Sequence, residues 1–179
     1  MTTFNFEDLI GPALLDSNGE SVSSLAALQG KKYVMLYFSA HWCPSCRGYT
    51  PYLAAAYNAH KENLESSKKT DDKNNVKLGQ EVANIAETEQ IEVIFVSLDS
   101  VQKEYDNYRS TMPWLSIPFA NLWKMDLKDK LAKKFGVVSI PTLIVLDGHS
   151  GEIVTRNGKG QYTNYFTGEY ELQSSCVVS

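Results

Sequence analysis

Two apolar runs constrain this chain more than any other feature. Tyr33–Ser39 (YVMLYFS) has no polar residue before its final serine, and Ile91–Leu98 (IEVIFVSL) carries a single charge. A strand with one wet face alternates apolar and polar residues, whereas these runs do not, so each is expected to be a central strand covered on both faces. Between them the period changes. Tyr49, Leu53, Ala56, Tyr57, His60 and Leu64 recur at steps of three and four, the stripe of an amphipathic helix, with Pro51 inside it as an expected kink. Strand, helix, strand in that order is a βαβ unit, which makes the two strands parallel.

The flanking segments add smaller pieces. Leu14-Leu15-Asp16 with the turn Ser17-Asn18-Gly19-Glu20 reads as an N-terminal hairpin, and Ser23 caps a short helix that ends at Gly30. Val101, Tyr105 and Tyr108 mark another helix. Met112 to Phe119 reads as a loop. Asp126 is expected to cap a helix with the stripe Leu127, Leu131 and Phe135 and a stop at Gly136. Leu143–Leu146, a turn at Asp147–Gly151, and Glu152–Thr155 form a closing antiparallel pair. The predicted fold is α/β, three-layered, with a mixed central sheet between helices and an N-terminal hairpin. With 179 residues, one domain is expected. We place it at residues 1–160, with a polar insertion around 66–90 whose first part, from Glu62, reads as solvated loop. Residues 161–179 are expected to be a disordered tail.

Charge and composition exclude several classes. Lys and Arg number 17 against 21 Asp and Glu, a net charge of −4, so no basic stripe suits nucleic acid. No apolar run approaches the ~20 residues that span a bilayer. Met1 to Ile10 holds Glu7 and Asp8 and no Lys or Arg, which fits neither a secretory signal nor a transit peptide and points to the cytoplasm. Three cysteines, Cys43, Cys46 and Cys176, are too few for a disulfide-stapled scaffold.

The pair Cys43-Pro44-Ser45-Cys46 falls between the first buried strand and the helix start. The first sulfur is then expected at a helix tip, where unpaired N–H groups and the helix dipole favour thiolate over thiol. Cys43 is read as the nucleophile in disulfide exchange and Cys46, one turn on and less exposed, as the resolving thiol. A zinc site needs about four ligands, and no second Cys or His pair has suitable spacing; no metal and no other cofactor is expected. Ile140-Pro141-Thr142 interrupts an otherwise apolar strand. If that proline is cis, it bends the chain beside the cysteines and frees backbone groups for an extended substrate.

Together these segments resemble the thioredoxin superfamily and, within it, the tryparedoxins and nucleoredoxins. Tyr37 through Gly48 (YFSAHWCPSCRG) is similar to their active-site segment, Met112-Pro113-Trp114-Leu115 with Ile117-Pro118-Phe119 to their loop, and Ser139 through Ile144 to their cis-proline strand. The resemblance implies a thioredoxin-like fold and a dithiol electron carrier that reduces protein disulfides, such as those of peroxiredoxin-type peroxidases. Its reductant would be a low-molecular-weight dithiol, trypanothione in the tryparedoxins. By position it also implies Cys43 as nucleophile, Cys46 as resolving thiol and Pro141 as the cis-proline. Trp42, Pro44, Ser45, Ile140, Asp99 and Trp114 become the site's surroundings.

Tyr37 stands where thioredoxins proper carry a buried Asp. That leaves Asp99 or water for the resolving proton, although an acid at a strand end is often only an exposed cap. Ser45 replaces the second proline usual in tryparedoxins, and residues between the cysteines tune the reduction potential. A protonated His41 would favour the Cys43 thiolate, against a partly exposed ring without a role. Trp114 either lines the substrate surface or anchors its loop. A monomer is expected. The alternative reading is a nucleoredoxin-like module that binds a partner under redox control.

Cys176-Val177-Val178-Ser179 fits the C-a-a-X prenylation pattern. A single lipid at Cys176 would give only weak membrane association. The acidic stretch upstream supplies no second signal.

Overall fold

A computed structural model describes residues 4–68 and 91–168. Among them run α1 (Glu7–Ile10), β1 (Ala13–Leu15), β2 (Ser21–Ser23), α2 (Ser24–Leu28), β3 (Tyr33–Ser39), α3 (Pro44–Lys68), β4 (Ile91–Ser97), α4 (Gln102–Arg109), β5 (Leu115–Ser116), α5 (Phe119–Lys124), α6 (Leu127–Phe135), β6 (Thr142–Asp147), β7 (Ile153–Thr155) and α7 (Gly158–Thr167).

The strands form one mixed sheet in the order β2-β1-β5-β4-β3-β6-β7. β3 runs parallel to β4, with Tyr37 opposite Phe95, and antiparallel to β6, with Tyr37 opposite Leu143. β5 joins β4 in parallel and β1 antiparallel. Both apolar runs are central strands, as their lack of alternation requires. From Val34 to Ser39 every side chain of β3 is buried, so both faces of the sheet are covered. The hairpin β1–β2 and the Ser23 cap, whose hydroxyl accepts the Ala26 N–H, stand where the sequence puts them.

Several expectations need correction. The helix after the cysteines does not give way to loop at Glu62 but runs to Lys68. Its stripe continues through Leu64, which is buried. The rest of the insertion, with Val82 and Ile85, lies outside the described residues. The domain does not stop at 160, because α7 spans that position and buries Tyr165 (2% exposed) and Phe166. Tyr165 meets Tyr33 edge-to-face, and Phe166 packs against Tyr57 and His60. Residues 161–168 are therefore part of the fold, while the remainder of the tail lies outside the described residues. Met112–Phe119 is not all loop, since Leu115 and Ser116 add a short inner strand. Helices α1 and α5 were not anticipated. Asp126 precedes α6 in a left-handed conformation (φ 48°), and its side chain makes no cap bond. The stripe Leu127, Leu131, Phe135 and the Gly136 stop are as read.

Candidate active site

β3 ends at Ser39, and α3 begins at Pro44, a residue suited to a first helical position because it has no N–H to leave unpaired. Cys43 occupies the cap position just before it. Its carbonyl accepts the Arg47 N–H at 3.1 Å, the first bond of the helix. Its Sγ accepts the Cys46 N–H at 3.3 Å, as an N-cap oxygen would. The Ser45 hydroxyl lies 3.2 Å from the same sulfur. Burial pushes the Cys43 thiol up, but hydrogen bonds from the Cys46 thiol, the Ser45 hydroxyl and the backbone N–H groups of Cys46 and Ser45 outweigh it. The net pKa lies below the ordinary thiol value.

Cys46 is fully buried, and its pKa is pushed up to about 11, first by that burial and then by its hydrogen bond to Cys43. The Ser39 hydroxyl and the Ala40 N–H pull it partly back. One sulfur is thus biased to the thiolate and the other to the thiol, and both are free thiols. Cys43 retains 5% exposure between Trp42, which is 55% exposed, and exposed Pro44 and Ser45.

The proline loop faces the dithiol. The Ile140–Pro141 peptide is cis. The Ile140 carbonyl lies 3.8 Å from the Cys43 sulfur.

For two of the named surroundings the structure decides between the alternatives. Asp99 is not an exposed strand-end acid. It is buried; one carboxylate oxygen accepts the His41 N–H at 2.8 Å and the other accepts the Ser97 hydroxyl at 2.8 Å. Burial raises its pKa, against the Ser97 and His41 hydrogen bonds that lower it. Trp123 donates its indole N–H to the Asp99 carbonyl. Asp99 therefore braces the loop that leads into Trp42 and Cys43. Trp114 does not line the surface. It is 1% exposed and packs edge-to-face on Tyr37 and Tyr57 at ring separations of 5.9 and 5.8 Å.

The sequence reading missed what lies behind Cys46. Four buried hydroxyls close a ring: Ser39 to Tyr37 at 3.1 Å, Tyr37 to Thr50 at 2.8 Å, Thr50 to Tyr108 at 2.6 Å, and Tyr108 to Ser39 at 3.0 Å. Thr50 also donates to the Cys46 carbonyl at 3.0 Å. The available signal was Thr50 at four residues past Cys46, with Ser39 closing the strand that precedes it. Tyr108 carried no local signal. An open cavity of about 310 Å³ adjoins the ring, with Thr50, Tyr108, His41, Arg47 and Asn107 in its wall. Arg47 donates to the His41 carbonyl at its rim. Among the described residues no His, Cys, Asp or Glu cluster is placed to hold a metal ion, and no helix is long and apolar enough to cross a membrane.

A helix-tip sulfur with a protonated partner one turn on, opposite a cis-proline, is how thioredoxin-fold oxidoreductases present their dithiol. The comparisons agree. The Thioredoxin-like family profile matches residues 30–153. Tryparedoxin of Trypanosoma brucei brucei is 37% identical over 141 residues, which cover 79% of this chain and 76% of that one. Mouse nucleoredoxin is 36% identical over 159 residues, 89% of this chain but only 30% of the relative's length. The solved tryparedoxin from Trypanosoma brucei superposes with a TM-score of 0.67 at 32% identity, covering 92% of this chain and 94% of that one. A tryparedoxin II solved in complex with glutathionylspermidine gives 0.67 at 26% identity, with coverage of 97% and 99%. The chain belongs to the thioredoxin-like family, in the branch of the tryparedoxins and nucleoredoxins.

Proposed function

We propose that this protein is a tryparedoxin-like electron carrier that reduces disulfides of partner proteins, peroxiredoxin-type peroxidases among them. The observation that carries the reading is the Cys43 sulfur itself, which is stabilised as thiolate by the Cys46 N–H and the Ser45 hydroxyl and set against the Ile140 carbonyl. That thiolate attacks one sulfur of a substrate disulfide. A Cys43–substrate disulfide forms, and the other substrate sulfur leaves with the electron pair and takes a proton. Cys46 then displaces the bound sulfur, closing a Cys43–Cys46 disulfide and completing a two-electron reduction. Exposed Trp42 offers an apolar face to the incoming polypeptide.

A low-molecular-weight dithiol such as trypanothione then reduces the closed disulfide. Support for a donor of this size comes from the tryparedoxin II relative, solved with glutathionylspermidine. The test is a mixed-disulfide trap. With Cys46→Ser, a peroxidase or other substrate is expected to stay covalently bound to Cys43 and to be released by reductant. Insulin reduction by the wild type and none by Cys43→Ser is the companion result.

A second reading has its own support, since the chain matches only 30% of the length of mouse nucleoredoxin, as one module of a longer protein would. In it the dithiol switches partner binding. A wild type inactive on insulin, with a partner released on reduction, would select that reading. Cys176 lies outside the described residues. Its prenylation stays a proposal, tested by intact mass after expression in eukaryotic cells.

A further inference from the structure

Resolution needs Cys46 to lose a proton, and a thiol sealed from solvent cannot hand it to bulk water directly. In this chain Tyr37 stands on β3, where no carboxylate is available. Asp99 is already engaged through both oxygens, by His41 and Ser97. The closed ring of Ser39, Tyr37, Thr50 and Tyr108 backs Cys46 directly: Thr50 donates to the Cys46 carbonyl at 3.0 Å, and the Ser39 hydroxyl hydrogen-bonds the Cys46 sulfur.

The ring's arithmetic is informative. Each hydroxyl brings one hydrogen and can accept two. Four hydrogens serve four ring contacts and also the bond from Thr50 to the Cys46 carbonyl. The ring is thus one hydrogen short of its contacts, and as a whole it accepts. In the reduced protein the Cys46 hydrogen goes to Cys43; once Cys43 is bonded to substrate it no longer accepts that hydrogen, and Ser39, whose own hydrogen goes to Tyr37, can take it. Thr50 and Tyr108 also line the open cavity beside Arg47 and Asn107, so the ring has an outlet toward solvent.

We propose that this hydroxyl ring carries the resolving proton: Ser39 accepts it from Cys46, and Tyr108 and Thr50 release another to water in the cavity. The proposal rests on the dithiol reading above and supplies its second step. As the Cys46 S–H bond breaks, a hydrogen shifts from hydroxyl to hydroxyl around the ring, and one leaves to solvent, so the ring regains its own four hydrogens and no charge. The Cys46 sulfur's electron pair forms the bond to Cys43. The Cys43–substrate bond breaks, its pair departing with the substrate sulfur, which picks up a proton from water. The electrons and the proton balance without any further oxidant or reductant. Ser39 touches the reacting thiol and is catalytic; Tyr37, Thr50 and Tyr108 act through it as positioning residues.

A chromogenic aromatic disulfide mixed rapidly with the reduced full-length protein separates the steps. Cys43 attack releases one coloured thiolate and Cys46 resolution a second, and Cys46→Ser shows only the first. In Tyr108→Phe and in Thr50→Val, the first release is expected at the wild-type rate and the second slowed about 100-fold, the lower end for proton transfer by a positioned group. Thr50→Ser, which keeps the hydroxyl, is expected to restore the second release. The proposal is overturned by a second release within about twofold of wild type in both variants. Equal slowing of both releases, or a Thr50→Ser as slow as Thr50→Val, would also overturn it, since either marks a packing role. A wild type that releases no colour would sink the dithiol reading itself, and the ring with it.

Discussion

Cys43 stands to Cys46 as a helix cap stands to the third residue of its helix, with the Cys43 sulfur accepting the Cys46 N–H at 3.3 Å. The contact that caps the helix therefore also stabilises the thiolate, and the geometry is set before any substrate arrives.

The two sulfurs should titrate apart. Alkylation of Cys43, followed by mass spectrometry against pH, is expected to reach half its maximum rate below the ~8.5 of a free thiol. Cys46 is expected to resist alkylation until the pH approaches about 11. The stability consequences have opposite signs. For Cys43 the folded pKa is lowered, so its contribution is present above the free-thiol pKa and is lost as pH falls through the lowered value. For Cys46 the folded pKa is raised, so its contribution is present below the free-thiol pKa and is lost as pH rises through about 11. Denaturant unfolding of the reduced wild type, Cys43→Ala and Cys46→Ala across this range resolves the two.

Asp99→Ala should destabilise by about 1–3 kcal/mol, because it leaves the part-buried His41 N–H and the buried Ser97 hydroxyl without their acceptor. Asp99→Asn retains one carbonyl oxygen and should cost less. If Asp99 braces the loop and does not carry the resolving proton, Asp99→Asn keeps most of the reductase activity, measured with insulin.

The two tryptophans should separate stability from substrate contact. Trp114→Ala removes a buried indole packed between Tyr37 and Tyr57 and is expected to cost about 3–5 kcal/mol in urea unfolding. Trp42→Ala, at an exposed position, should change stability by no more than ~0.5 kcal/mol. It should slow reduction of a protein disulfide more than that of a small aromatic one.

Helix α7 should prove part of the folding unit. Phe166→Ala is expected to cost about 3–5 kcal/mol, from its packing on Tyr57 and His60. Gly158→Ala should also destabilise, because a Cβ there would sit 2.6 Å from the Leu143 carbonyl oxygen, where the helix start meets β6. Thermal midpoints of both variants check this.

The sequence by itself determined the central strands, the hairpin, the helix after the cysteines and the placement of Cys43 and Cys46 at its start. Each of these is a local pattern: an apolar run, a step of three and four, or two sulfurs one turn apart at a strand–helix junction. Only the tertiary structure decided that Asp99 turns inward to hold His41, that Trp114 packs against Tyr37, and that Tyr108 closes a hydroxyl ring with Ser39. Asp99 and His41 are 58 positions apart, and Ser39 and Tyr108 are 69. No periodicity spans such gaps, because those partners meet only when β3, β4 and the helices on their faces pack together. The same reason applies to α7: its residues show little regular apolar stripe and are held by the Tyr33, Tyr57 and His60 rings, which are remote in sequence and adjacent in the fold.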